Sequence, residues 1–331
     1  MRRFLVVVLV LGLLVVSLAY RELTKPATPP AETIVEVAPG MGTRAIGALL
    51  AAHGIIHNQY AFDLWHVVHG GTLKAGEYQF VQPATVPAVY DRIVRGDVYT
   101  RTVTIPEGFN LFDIAQAVED AQLGSKENFL GAAGKDVALI ADLDPGAKNL
   151  EGYLFPDTYH LARKSTPTQI CTTMVRRFRR EAAQIGLTAN FHKVVTMASL
   201  VERESAVDTE RPLVASVFEN RLAAGMPLMT DPAVIYGLEL DGRWRGTIYQ
   251  SDLARDTPYN TYLHKGLPPG PIANPGARAL RAAMEPARTD YLYFVAAGAD
   301  PQGHSLFSHS LEEQNRNVAG YRSAVKKAGG R

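Results

Sequence analysis

The stretch from Phe4 to Tyr20 contains no charged residue and is rich in Val and Leu, directly after Met1-Arg2-Arg3. In lipid such a segment must be helical, because every backbone N–H and C=O there has to be satisfied within the segment. At 1.5 Å rise per residue it lies at the short end of the roughly 17 to 25 residues that a span requires. The two arginines ahead of it orient the N-terminus toward the cytoplasm. Everything past Arg21 is then expected on the far side, in a single-pass protein of the cytoplasmic (inner) membrane with an extracytoplasmic body. A cleaved signal peptide is the competing reading, with Ser17-Leu18-Ala19 resembling a small-x-small cleavage site. The uncleaved anchor is preferred, since the run exceeds the ~7 to 15 residue apolar core of a signal peptide and no clear polar segment follows it.

Lys25-Pro26-Ala27-Thr28-Pro29-Pro30 reads as a stiff, extended stalk that lifts the first folded unit off the membrane. Thr33 to Val37 then alternates as a strand. Pro39-Gly40 turns, and Ala45, Ile46, Leu49 and Leu50 mark an amphipathic helix ending near Gly54. The same grammar returns in a strand from Arg101 to Ile105, a turn at Pro106-Glu107-Gly108, and a helix through Leu111, Ile114, Ala115 and Val118. Two such copies suggest an internal duplication of a small α/β unit. Between them, Gly76 to Phe80 is a short strand and Val86 to Val94 a helix. From about Leu150 long helices take over: Thr168 to Ile185, with Arg176, Arg177, Arg179 and Arg180 as a solvated face, and Thr209 to Leu222. Thr230-Asp231-Pro232, Tyr259 to Tyr262, Gly266 to Ile272 and Tyr291 to Val295 read as loops rich in residues suited to binding sugars.

The chain has 331 residues, 47% hydrophobic and 20% charged, with a formal net charge of +1. Length suggests about two domains, and the charge balance argues against nucleic acid. Cys171 is the only cysteine, so no intramolecular disulfide forms, and it is expected to be a small buried hydrophobe. No His-x-x-x-His pair, Walker A loop or Gly-x-Ser-x-Gly elbow occurs, which argues against a metal site and against nucleotide or serine-hydrolase chemistry. Gly40-Met41-Gly42-Thr43-Arg44-Ala45 matches the dinucleotide fingerprint, but no second parallel strand ending in an acid follows, and it reads as a helix start. No cofactor is expected.

Acid–base chemistry by carboxylates remains, from a pool of Glu204, Glu202, Glu151, Asp157, Asp208 and Asp231. In the helical stretch Lys193 to Ser205, Met197, Leu200 and Val201 lie seven, four and three positions before Glu204, so this glutamate shares their apolar stripe. Burial there raises its pKa and suits it to donate a proton near neutrality, as a glycosidic general acid must. Glu202 faces Ala198, Ser199 and Ser205, a more polar surface open to water. A glutamate capping the helix end, or paired with Arg203 or Arg211, is the other reading of Glu204.

Leu150-Glu151-Gly152-Tyr153-Leu154-Phe155-Pro156-Asp157-Thr158-Tyr159, Ala198 to Ser205, Thr230 to Gly237, Tyr259-Asn260-Thr261-Tyr262 and Gly266 to Gly270 resemble, in this order, the YceG-like (MltG) endolytic murein transglycosylases. The resemblance runs from the anchor to Tyr321. It implies an α+β chain in four parts: a transmembrane anchor (1–20), a proline-rich stalk (21–30), a LysM-like α/β region with internal duplication (31–145), and a lysozyme-like, mainly helical catalytic domain with added strands and loops (146–331). It also implies that Glu204, the second glutamate of the family's Glu-x-Glu-Ser/Thr motif, cleaves the MurNAc-GlcNAc bond of peptidoglycan strands without water, acting first as acid and then as base to leave 1,6-anhydroMurNAc ends. Glu151, Tyr236, Tyr259, Asn260 and Tyr262 are expected to shape the glycan groove. The implied partners are peptidoglycan strands, the cytoplasmic membrane and the wall synthases (penicillin-binding proteins). The alternative is a non-catalytic, membrane-anchored adaptor that binds the wall.

Overall fold

The structure, a computed structural model, describes residues 2–300 and 303–329, so the outer bounds expected at residues 1 and 331 lie outside it. The chain packs as two compact units, one of Met1–Arg101 with His160–Lys164, the other of Thr102–Tyr159 with Ser165–Arg331.

The first unit opens with helix α1 (Arg2–Thr24), followed by β1 (Thr33–Val37), α2 (Thr43–Ala52), α3 (Gln59–His69), β2 (Gly76–Phe80) and α4 (Val86–Arg95). Residues 3–24 of α1 are long and apolar enough to cross a membrane, with a mean hydropathy of 2.5 and none of the apolar window buried. β1 and β2 pair antiparallel, with Val35 opposite Tyr78 and Val37 opposite Gly76. Period-2 alternation puts Val35, Val37, Tyr78 and Phe80 on one face, where Ile46, Leu50, Phe62, Val89 and Ile93 close a core. Asn58 caps α3 and Thr85 caps α4, while Gly96 ends α4 in the left-handed conformation.

The proline-rich stretch, expected as a stiff, extended stalk, is also packed on the unit. The last turn of α1 runs into it, Leu23 packs on the core of the unit, and Ala27 is buried, exchanging two backbone hydrogen bonds with Ala84. The segment is extended, but it is a packed edge of the unit.

β3 (Thr100–Thr104) and β4 (Thr158–Ala162) pair with each other, and through them the chain passes between the units. α5 (Leu111–Asp120) and α6 (Lys126–Lys135) lie between these strands in sequence, so the order strand, helix, helix, strand occurs twice. The second unit continues with α7 (Pro167–Ile185), α8 (Phe191–Glu204), α9 (Arg211–Ala223), α10 (Asp231–Leu240), α11 (Gln250–Leu253), α12 (Ala277–Met284), the antiparallel hairpin β5 (Tyr293–Ala296) and β6 (Ser305–Ser308), and α13 (Leu311–Gly329).

Within this unit α8 is the central element. Phe191 and every residue from Val195 to Val201 are buried, and α12, α9 and α10 pack around the helix. One of its small polar residues is spent on bracing. Ser199 Oγ donates to the Thr196 carbonyl at 2.7 Å and accepts the Ile272 N–H at 3.1 Å. Cys171 is fully buried and burial pushes its thiol up to about 12, so it behaves as an inert hydrophobe.

Two local expectations change. Thr230-Asp231-Pro232 and Tyr291 to Val295, read as loops, are the start of α10 and the body of β5. Thr230 caps α10 and Pro232 sits in its first turn, a helix signal in its own right. The basic face of α7 is also more than solvated. Arg177 bridges Asp157 and Glu181 and lies 4.5 Å from the Phe155 ring centre, and Arg179 binds Asp142 and the Leu139 carbonyl.

Candidate active site

A helix buried on all sides must end somewhere, and α8 ends at a cavity. Glu204 lines it together with Phe218 and Arg221 of α9, Leu228, Met229 and Thr230 before α10, Asp231 at its first turn, Tyr262, and Phe294 of β5. Burial lifts the Glu204 carboxyl to about 7, and the negative charge of Asp231 adds to the rise. Arg221 and Arg203 pull the other way. Neither arginine considered as a partner neutralises it: Arg203 donates to the Gly108 carbonyl, and Arg211 binds Glu202. A carboxyl poised near 7, with no salt bridge among the described residues, can give up a proton and take one back at neutral pH.

The rest of the wall is held by a few strong hydrogen bonds. Arg221 donates to the Leu292 and Leu228 carbonyls, both at 2.7 Å, which ties β5 and the loop before α10 to α9. The Tyr262 hydroxyl donates to Asp231 at 2.7 Å. Thr230 N–H donates to Thr261 Oγ1 at 2.9 Å, and Met229 N–H to the Thr261 carbonyl at 3.0 Å. Met229 itself sits at φ +55, a left-handed conformation that non-glycine residues rarely adopt, with its side chain half exposed at the cavity.

The other carboxylates of the pool are engaged elsewhere. The Glu202 side chain is only 5% exposed, which corrects the expectation of a water-facing group. Burial disfavours its charge, while the Gly276 N–H at 3.0 Å and Arg211 at 2.8 Å favour it. Asp157 is paired with Arg177, and Asp208 with Arg211 and Arg278. Glu151 is buried and accepts the Leu111 N–H at 2.9 Å and the Asn274 amide at 2.8 Å. Burial pushes it up to about 8 against the pull of the Leu111 N–H. Of the pool, only Glu204 and Asp231 face the cavity.

Among the five residues expected to shape a groove, Tyr262 alone lines that cavity. Asn260 is fully buried beneath it; its amide donates to the Leu253 and Arg255 carbonyls and its oxygen accepts the Tyr262 N–H, so it braces the loop that carries Tyr262. Tyr236 is buried with its ring edge-on to Tyr259, 5.0 Å between centres. Glu151 and Tyr259 line a separate, smaller cavity with Asp144, Lys148, His192 and Pro271. Arg221 and Met229 were not expected at the site, and no local motif marks them, whereas Phe294 falls in the Tyr291 to Val295 stretch read as suited to sugars.

Among the described residues no salt bridge reaches the Glu204 carboxyl, and its place in a polar cavity of a mainly helical unit is an arrangement that can support acid–base chemistry. Residues 35–320 match the YceG-like family, and the chain belongs to it. It is 33% identical over 327 residues to the endolytic murein transglycosylase of Bacillus subtilis, an alignment covering 92% of this chain and 89% of that protein. To the endolytic murein transglycosylase of Streptococcus pneumoniae it is 31% identical over 86% of its own length, spanning 57% of that longer protein. The crystal structure of a YceG-like protein of Listeria monocytogenes is similar with a TM-score of 0.57 and 33% identity, covering 86% of this chain and 98% of that one.

Proposed function

We propose that this chain is an endolytic murein transglycosylase, a lyase that cleaves the MurNAc-GlcNAc bond within peptidoglycan strands, with Glu204 as its acid and then its base. The observation that carries the proposal is the Glu204 carboxyl, raised by burial to about 7 and, among the described residues, without a salt bridge in a polar cavity. Protonated, it donates to the oxygen leaving C1 of the muramic residue. The C6 hydroxyl then attacks C1, and the Glu204 carboxylate accepts its proton. The bond from C1 to the leaving oxygen breaks as the bond from C1 to O6 forms, so one proton passes through one carboxyl group and no water is consumed. Arg221 limits how far the carboxyl pKa rises, and Tyr262, hydrogen-bonded to Asp231, borders the space in which the glycan lies. Asn260 supports the groove by bracing the loop that carries Tyr262, while Glu151 and Tyr259, with Tyr236 packed on Tyr259, belong to the separate cavity. α1 anchors the enzyme in the cytoplasmic membrane, with residues 31–145 as the wall-facing region and 146–331 as the catalytic one, where it meets nascent strands beside the wall synthases. The non-catalytic adaptor is disfavoured by relatives named for the enzyme activity.

Asp231 shares the cavity, and a hydrolase would use such a second carboxylate to activate water across the bond. Product mass separates the two reactions. Full-length protein and Glu204→Gln are given uncrosslinked glycan strands and the products weighed. Internal cuts with anhydro ends from the wild type alone are expected; ends heavier by one water would overturn the lytic mechanism, and undiminished cutting by Glu204→Gln would overturn the role of Glu204.

A further inference from the structure

Helix α3 is apolar on two sides. Ala61 and Phe62 are buried in the core of the first unit, with Trp65 packed against it. Away from that core, Tyr60, Leu64, Val67 and Val68 are 67, 46, 80 and 69% exposed. At helical spacing these four fall within one stripe about 100° wide, the width that a helix normally turns toward a core. A contiguous apolar patch left open in this way marks an interaction surface.

Its surroundings indicate what covers it. α1 packs against both α3 and α4, and its Leu23 reaches the same core. No free spacer separates them, because Ala27 is buried and bonded to Ala84. The open stripe therefore lies in the same compact unit as the C-terminal end of an apolar, membrane-length helix. Arg21 and Lys25, both exposed, stand at that end.

We propose that α3 is an interfacial helix whose Tyr60, Leu64, Val67 and Val68 stripe dips into the boundary between headgroups and acyl chains of the bilayer that α1 spans. The proposal rests on the reading of α1 as a membrane anchor. An immersed face of this kind sits roughly 5 to 10 Å below the headgroup level. The Tyr60 phenol, Arg21 and Lys25 supply the polar groups that favour that level. A glycan fits the stripe less well, because three of its four side chains are aliphatic and sugars are held by flat rings beside amides and hydroxyls.

The test uses the full chain in nanodiscs of phosphatidylglycerol and phosphatidylethanolamine, carrying one nitroxide at a time through Val67→Cys, Leu11→Cys in α1 or Asp91→Cys on the open face of α4. All three sites are exposed, so the substitutions leave the core intact, and Cys171 is buried from the label. Collision rates with oxygen and with a water-soluble nickel chelate are then measured. Expected is a position 67 that behaves like position 11, with nickel collisions several-fold rarer than at position 91. Position 67 matching position 91 while position 11 reports lipid overturns the proposal and spares the anchor. Water exposure at both 67 and 11 overturns the anchor and the proposal together. Dipolar broadening between labels at 67 would mean a second copy covers the stripe, and protection that appears only on adding glycan strands would mean a sugar; either result also overturns it.

Discussion

Replacing Glu204 with glutamine should make the protein more stable, and by an amount that depends on pH. The Glu204 carboxyl sits at about 7 in the folded chain against an ordinary value of 4.5. Between those two values the folded state holds a proton that the unfolded state has released, so stability falls as pH rises through that window. Below about pH 4.5 both states are protonated and nothing is lost; above about pH 7 the full cost is present. At about 1.4 kcal/mol per pH unit, that cost reaches about 3 kcal/mol. Glutamine has nearly the same shape and no charge to desolvate, so Glu204→Gln escapes it. Glu151, also raised by burial, is present in both proteins and drops out of the difference. Urea unfolding of wild type and Glu204→Gln at pH 5 and pH 8 measures the effect, and the advantage of the variant should grow by about 2.5 kcal/mol between them. An advantage that stays constant with pH, or a variant less stable at pH 8, would mean that Glu204 is solvated or paired in the folded protein. Glu204 would then not be a neutral acid at pH 7.

If Glu204 must start each cycle protonated, kcat/KM should fall about tenfold per pH unit above about pH 7, as a pH series on soluble glycan strands would record. Arg211→Met leaves Glu202 buried without its cation and should cost about 3 to 5 kcal/mol of stability in urea melts, an effect much larger than an exposed ion pair would give. Gly152 has φ +84, and a Cβ there would lie 2.6 Å from Val195 Cγ1 and from Pro271 Cγ. Gly152→Ala should therefore destabilise by about 2 to 4 kcal/mol, against the small change expected of an open glycine in the same melts.

Where the determinants are local, the sequence was legible. The strands Thr33–Val37 and Gly76–Phe80 were read with the bounds the structure gives, because alternation is a short-range signal and the paired edge buries what it marks. The helices ending near Arg95, Ile185 and Glu204 were likewise read to within two residues of their observed bounds. α10 escaped because its Asp, Pro and Tyr were weighed as loop residues, although Thr230 and Pro232 are equally good helix starters. β5 escaped because all four of its residues are only partly buried, so alternation never shows. The packed proline segment was hidden for another reason. Proline predicts an extended backbone, and whether that backbone is free or laid against Ala84 depends on a partner far along the chain.

The same distinction explains the site. Glu202 and Glu204 stand two residues apart at one helix end, and local chemistry offers little to separate them beyond the side of the helix each takes. Their different states come from elsewhere in the chain. Arg211 and the Gly276 N–H reach Glu202 and clamp the end of α8 to α9 and to the start of α12, so that carboxylate is tied into the scaffold. Among the described residues no such partner reaches Glu204. It meets Asp231, which opposes its charge, and Arg221, whose guanidinium is committed to the Leu228 and Leu292 carbonyls. Anchoring one glutamate fixes the backbone from which the other projects. A held scaffold with one labile proton is what a reaction that uses the same carboxyl twice requires, since the group must return to its starting position between donating and accepting. The apolar stripe marked Glu204 as a candidate, but whether a cation reaches its carboxyl is decided by the whole fold.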